Sequence, residues 1–251
     1  MGESRDVIGN LLPFFLVVDV SQSMAGARID AVNQILPTLV DALAENPILS
    51  DKVRFGVIDF SNTATVLTPL CDLLNQSSLP GFSVRGATYY SAAFELLKSQ
   101  IQTDVDQLKA DGYNVYRPTV FFMSDGAPNQ GDPWQAPFAE LTTYDKTTNT
   151  GFKYYPNLIP FGIQGADPVI LQQLIHPSTG PRPMKMFLTD AGADAASAIA
   201  SMAEILLASV LNSVQSVATD DGAGSAGLPD LGDMPDLAGL TAVGPDDIIF
   251  L

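Results

Sequence analysis

Residues 11–18 (LLPFFLVV) form an unbroken apolar run of branched and aromatic side chains, as a strand covered on both faces requires. Downstream, Ile29, Val32, Ile35, Leu36, Leu39, Val40 and Leu43 recur at helical spacing, which predicts an amphipathic helix kinked at Pro37 and stopped at Asn46-Pro47. Residues 52–60 alternate like a strand with one wetter face, and 63–70 can return beside it across the Ser61-Asn62 turn. A long helix follows over 90–108, with Ala93, Leu96, Leu97, Ile101, Val105 and Leu108 on one side, and then a buried strand over 117–123. The pattern continues as a helix at 133–144, a strand at 155–163, a short helix at 168–175, a last short strand at 184–188 and a closing helix at 193–217. Strands alternating with helices predict a doubly wound α/β fold, a mostly parallel central sheet with helices on both faces. In such sheets ligands bind beyond the carboxyl ends of the strands, where strand order reverses.

From about Thr219 the pattern stops. Asp220, Asp221, Asp230, Asp233, Asp236, Asp246 and Asp247 occur among Gly, Ala and Pro without one Lys or Arg. This divides the chain into a folded unit, 1–218, and a flexible acidic tail, 219–251, disordered or docked. The 251 residues suffice for one large domain, and a charged content of 16% excludes disorder throughout. A formal net charge of −16 would repel nucleic acid and anionic membrane, and leaves a cation or a basic protein as the complementary partner.

Cys71 is the only cysteine, so an internal disulfide and a thiolate metal cluster are excluded. Glu3 and Asp6 outweigh Arg5 ahead of the first apolar run, no small-residue cleavage site follows it, and position 6 lacks the Ser or Thr of a myristoylation signal. No apolar stretch reaches the roughly 18 residues that span a bilayer. A soluble, unanchored, cytoplasmic protein is expected.

Candidate chemistry sits at the ends of the predicted strands. Asp19-Val20-Ser21-Gln22-Ser23 follows the first strand and places three hard oxygen donors two residues apart, a set suited to Mg²⁺ or Mn²⁺ and not to zinc or copper. Thr88, before the long helix, and Asp125, at the end of the 117–123 strand, fall on the same sheet edge. The plain alternative is local: Asp19 and Ser23 capping the helix near Arg28, Thr88 capping the next, and Asp125-Gly126 making a turn.

Taken in order, Asp19, Ser21, Ser23, Thr88 and Asp125 match the Asp-x-Ser-x-Ser, Thr, Asp pattern of a von Willebrand factor A domain with a metal-ion-dependent adhesion site. Met24-Ala25-Gly26 and Arg117-Pro118 extend the resemblance, which is greatest to the bacterial TerY-like branch associated with tellurium resistance and stress responses. The resemblance implies Mg²⁺, with Mn²⁺ or Ca²⁺ as alternatives. Ser21 and Ser23 would ligate directly, Thr88 would join or leave with conformation, and Asp19 and Asp125 would act through water. It also implies a non-enzymatic module whose cation takes a Glu or Asp carboxylate from a protein partner, such as a kinase or phosphatase.

Other readings compete. A metal-dependent phosphohydrolase could use Asp19, yet Ser21 stands where the second acid of an Asp-x-Asp pair belongs. An accessory subunit of an AAA+ ATPase or chelatase assembly is another. His176, the only histidine, reads as a surface loop residue, and the glycine pattern from Gly222 to Gly227 as linker. Asp59 is either a supporting acid of the site or a solvated or turn-bonded one. Trp134, in the aromatic stretch 129–153, lies either on a contact rim beside the cation or inside. The tail aspartates could occupy the cation's open position, in the same chain or in a second copy, or serve only solubility.

Overall fold

The computed structural model describes residues 7–190, 192–218 and 239–247. Strand β1 (Gly9–Asp19) is the centre of the sheet, and every residue from 11 to 19 is buried. Phe14 stacks between Phe55 and Phe121 at centroid distances of 5.5 and 6.0 Å, one side chain tying three neighbouring strands.

After β1 come α1 (Ala27–Val32) and α2 (Ile35–Ala44), where a single kinked helix was expected, and then α3 (Pro47–Lys52), which starts at the expected stop. The break at Asn33-Gln34 has a covalent cause: the Pro37 ring clashes with the carbonyl four residues back, that of Asn33, and offers it no N–H. Asn33 then uses its amide elsewhere. It donates through Nδ2 to Phe82 O at 3.1 Å and accepts Phe82 N at 2.7 Å.

Strand β2 (Val53–Phe60) runs parallel to β1, with Asp19 opposite Phe60, and β3 (Ala64–Cys71) returns antiparallel beside it. Gly56 permits close packing, since a Cβ there would meet the Phe15 ring at 2.7 Å. Helix α4 (Tyr90–Ala110) crosses the sheet and leads through β4 (Tyr113–Val115), which pairs with the start of β1, to β5 (Thr119–Ser124) on the other flank of β1.

The second half adds α5 (Gln135–Thr142), a small hairpin of β6 (Tyr144–Asp145) and β7 (Thr150–Gly151), β8 (Asn157–Gly162), α6 (Pro168–Gln172), β9 (Met186–Thr189) and α7 (Ala195–Ala218). Last comes β10 (Leu240–Val243). The main sheet has the order β10-β9-β8-β5-β1-β2-β3. Its pairs from β9 across to β2 are parallel, and β3 and β10 are antiparallel edges. The chain first builds outward from β1 to β3, then crosses to β5 and builds the other way. Strand order therefore reverses between β1 and β5, whose carboxyl ends carry Asp19 and Ser124.

Helices α1, α2 and α3 pack with α7, and α4 packs with α5, so the two groups cover opposite faces. Beneath α4, Phe60, Tyr90, Phe94, Phe122, Trp134 and Phe138 form one aromatic cluster. Each such ring contributes about 1.5–3 kcal/mol when fully buried, and well-placed pairs about 0.5–1.5 kcal/mol more.

Two expectations change. The strand over 184–188 is not the last: β10 pairs with β9 over four residues, Asp190 N donates to Gly239 O at 2.8 Å, and Gln172 Nε2 donates to Gly244 O and Asp247 O. Part of the segment read as tail therefore docks on the sheet edge. Also, α7 does contain a stretch, Ala196–Val214, long and apolar enough to cross a membrane by length and composition. Its interspersed Ser and Asn residues hid it as a run, and over half of it is buried within the protein.

Candidate metal centre

At the end of β1 the backbone is clamped from two sides. Val20 N donates to Phe60 O at 2.9 Å, and Arg85 N donates to Val20 O at 2.7 Å. Ser21 then turns back, its N–H donating to Asp19 Oδ1 at 2.8 Å, and a short 3-10 turn, Gln22–Met24, follows with Met24 buried beneath it. This turn presents both serine hydroxyls on one side. Ser21 Oγ and Ser23 Oγ lie 3.0 Å apart, and Ser23 Oγ donates to Asp125 Oδ1 at 2.7 Å.

Asp19 is fully buried, with both oxygens engaged: Oδ1 by Ser21 N, and Oδ2 by Ser124 Oγ at 2.7 Å. Burial pushes its carboxyl up to about 6; the bonds from Ser21 and Ser124 oppose that rise and the charge of Asp125 adds to it. Asp125, also buried, is held by Arg28, whose Nη1 donates to Oδ2 at 2.6 Å. Tyr90 OH donates to Gly126 O at 2.8 Å, and burial raises the pKa of that hydroxyl.

The Thr88 loop joins through its backbone. Gln22 N donates to Gly86 O at 3.1 Å, and Asn129 N donates to Thr88 O at 2.8 Å. Gly86 adopts φ +63°, and a Cβ there would lie 2.0 Å from Asn62 Oδ1, which accepts Ala87 N. Only glycine fits that contact. From the far side Asp132 Oδ2 accepts Tyr90 N at 2.7 Å and Ser91 N at 3.2 Å, capping α4 immediately after the Thr88 loop. Its other oxygen is buried and has no hydrogen-bond partner.

Asp19, Ser21, Ser23 and Asp125 thus stand in one hydrogen-bonded cluster, with buried Thr88 on an adjoining loop tied by main-chain bonds. The donor set fits a small divalent cation. A 3.0 Å separation of the serine oxygens suits adjacent corners of an octahedron with bonds of about 2.1 Å, as Mg²⁺ prefers, whereas the longer bonds of Ca²⁺ would spread them to about 3.4 Å. Among the described residues no group of three or more His, Cys, Asp and Glu gathers as a metal site, here or elsewhere, so this cluster would hold an ion through hydroxyls and two acids.

The structure decides several readings that the sequence left open. Asp59 is not solvated: it is buried, and Arg85, whose N–H clamps Val20 O, holds it through two bonds of 2.6 Å. Trp134 belongs to the core, 5% exposed and edge-on to Tyr90, so it offers no contact rim. His176 is half-buried, with Nδ1 bonded to Pro156 O at 2.7 Å. Asp246 and Asp247 follow the end of β10, four strand spacings or about 19 Å across the sheet from β1, and Asp247 caps Gly244 N. Those two cannot reach the cluster in the same chain; the other five tail aspartates, like Gly222 to Gly227, lie outside the described residues.

Arg28, Tyr90 and Asp132 were not picked out in the sequence as parts of the site. For Arg28 there was one signal, its being the only Lys or Arg between Arg5 and Lys52.

Residues 14–127 match the family model of the von Willebrand factor type A domain, a stretch that contains Asp19, Ser21, Ser23, Thr88 and Asp125. Over that stretch the chain is similar to a domain of that class, and its fold is α/β with a mostly parallel sheet. No curated protein matches the chain. Among solved structures it is similar to proximal thread matrix protein 1 from the mussel byssus, at 17% identity and a TM-score of 0.51, over 79% of this chain and 47% of that one. It is also similar to the pilus adhesin SpaC from Lactobacillus rhamnosus GG in its open conformation, at 15% identity and a TM-score of 0.53, over 81% of this chain and 30% of that one. The likeness is one of fold, and this chain spans less than half the length of either neighbour.

Proposed function

We propose that this chain is a protein-interaction module that works through a divalent cation, Mg²⁺ first, with Mn²⁺ or Ca²⁺ as alternatives. Ser21 and Ser23 hold the ion through neutral hydroxyls, Thr88 joins or leaves them, and Asp19 and Asp125 orient those hydroxyls and bound water. When bound, the ion supplies a strongly electrophilic position for a Glu or Asp carboxylate of a partner protein.

One observation carries this reading: the two serine oxygens lie 3.0 Å apart while both nearby acids are already engaged, Asp19 by Ser21 N and Ser124, Asp125 by Ser23 and Arg28. Hydroxyls are left facing the ion, and its charge is not quenched by direct carboxylate ligation. The same burial of Asp19 weighs against its use as a phosphohydrolase nucleophile, which needs an oxygen open to substrate. The sequence resemblance to TerY-like proteins supports a bacterial cytoplasmic setting in stress response or phosphorylation signalling, with a kinase or phosphatase as partner.

The test is a Mg²⁺ titration of the wild type and the Ser21→Ala/Ser23→Ala variant, by calorimetry and by thermal melting against EDTA. Wild type should gain about 2.7 kcal/mol of stability at a hundredfold excess of Mg²⁺ over Kd, and the variant none, while both give the same circular dichroism. Partners captured from lysate with Mg²⁺ should be lost with EDTA and with the variant alike. Equal Mg²⁺ binding by both proteins, or phosphatase turnover abolished by Asp19→Ala, would overturn the reading.

A further inference from the structure

Arg28 stands on α1, five residues beyond Ser23, and bridges two of the site's loops. Its Nη1 donates to Ser23 O at 2.9 Å and to Asp125 Oδ2 at 2.6 Å. The pair is asymmetric in exposure: the Asp125 side chain is 0% exposed and that of Arg28 27%. The carboxylate cannot turn to solvent, while the guanidinium reaches it from the rim.

This arrangement sets the charge of the whole centre. Even without touching the ion, the negative charges of Asp19 and Asp125 beside it would offset part of its field and weaken its pull on a further carboxylate. With Arg28 paired to Asp125, one unit of positive charge is left over. The same cation also repels the metal ion directly, so the two binding events are driven in opposite directions.

We infer that Arg28 is a specificity-determining residue of the metal centre, which weakens binding of the divalent cation and strengthens capture of a carboxylate by the loaded site. The inference rests on the proposed metal-centre reading. A merely structural Arg28, a tie between α1 and the Asp125 loop, would behave differently: its loss would loosen Ser23 and Asp125 and weaken both events together.

The experiment uses the full chain as wild type, Arg28→Gln and Arg28→Lys, each checked for folding by circular dichroism in EDTA. Mn²⁺ affinity is measured by the electron paramagnetic resonance of free Mn²⁺ in carboxylate-free buffer. Acetate affinity of the Mn²⁺-loaded protein is read from the fall in water-proton relaxation as acetate displaces bound water. Arg28→Gln should bind Mn²⁺ about three- to tenfold more tightly and acetate about three- to tenfold more weakly, both shifts shrinking at high salt. Arg28→Lys, which keeps the charge, should stay near wild type in both.

Mn²⁺ binding that is unchanged or weaker in Arg28→Gln, or two affinities that fall together, overturns the inference and leaves the metal centre standing. Absence of Mn²⁺ binding by the wild type overturns the metal-centre reading, and this inference with it.

Discussion

At Asp132 one side chain is split between two circumstances. Oδ2 accepts both Tyr90 N and Ser91 N, while Oδ1 is buried without a partner. The cap therefore needs a single acceptor, and the negative charge is a burden the site tolerates. Asp132→Ala is expected to lower stability by about 1–2 kcal/mol by removing the cap, and Asp132→Asn to stay closer to wild type, because its amide oxygen can take both N–H groups. Urea denaturation of the two variants decides it; equal losses would mean that charge, not capping, is what matters there. Residues such as Asp132 and Arg28 were not legible because they act across 42 and 97 positions of sequence, through bonds that leave no local spacing. Asp19, Ser21 and Ser23 were legible for the opposite reason: their relation is contained in one turn.

For whole elements, long periodic stretches were readable and short edges were not. The helix expected over 90–108 occupies Tyr90–Ala110, and the apolar run at 11–18 lies within Gly9–Asp19, because burial on a fixed face repeats along both. Pro37 was visible, but its clash falls on Asn33, so the break lies four residues before the proline. Strand β10 escaped notice because only Val243 of its four residues is buried, and its neighbours are Gly, Pro and Asp. Its role is to cover the outer edge of β9. A chain ending at residue 238 should melt at lower temperature and self-associate as concentration rises, since β9 would present unpaired N–H and C=O groups. Light scattering after size exclusion would show this, and a monomeric truncation of unchanged melting temperature would refute it.

Over the molecule as a whole, the net charge of −16 predicts that association with a basic partner slows as salt is raised. Stability should also depend on pH through His176. Burial lowers its pKa below 6.5; the bond to Pro156 O opposes this, and the nearby Arg117 adds to it. The unfolded chain therefore takes up the proton first, so the stability His176 contributes is complete above about pH 6.5 and is lost as pH falls through the lowered value. Asp19, raised to about 6, titrates in the same range with the opposite sign when metal is absent. The measurement is therefore the difference between wild type and His176→Gln in urea midpoints at pH 7.5 and 5.5, expected to narrow at the lower pH. A constant difference would count against it.

The reversal of strand order at β1 and β5 has a consequence for synthesis. All five residues of the proposed centre have been made once residue 127 is reached, half-way along the chain, yet β5 still lacks β8, its partner along the whole of Thr119–Ser124. On the ribosome, a nearly finished ion site would then border a bare, mostly apolar strand edge that is open to any other extended chain. The second half of the sequence, which supplies none of those five residues, is what makes the first half safe to keep in solution.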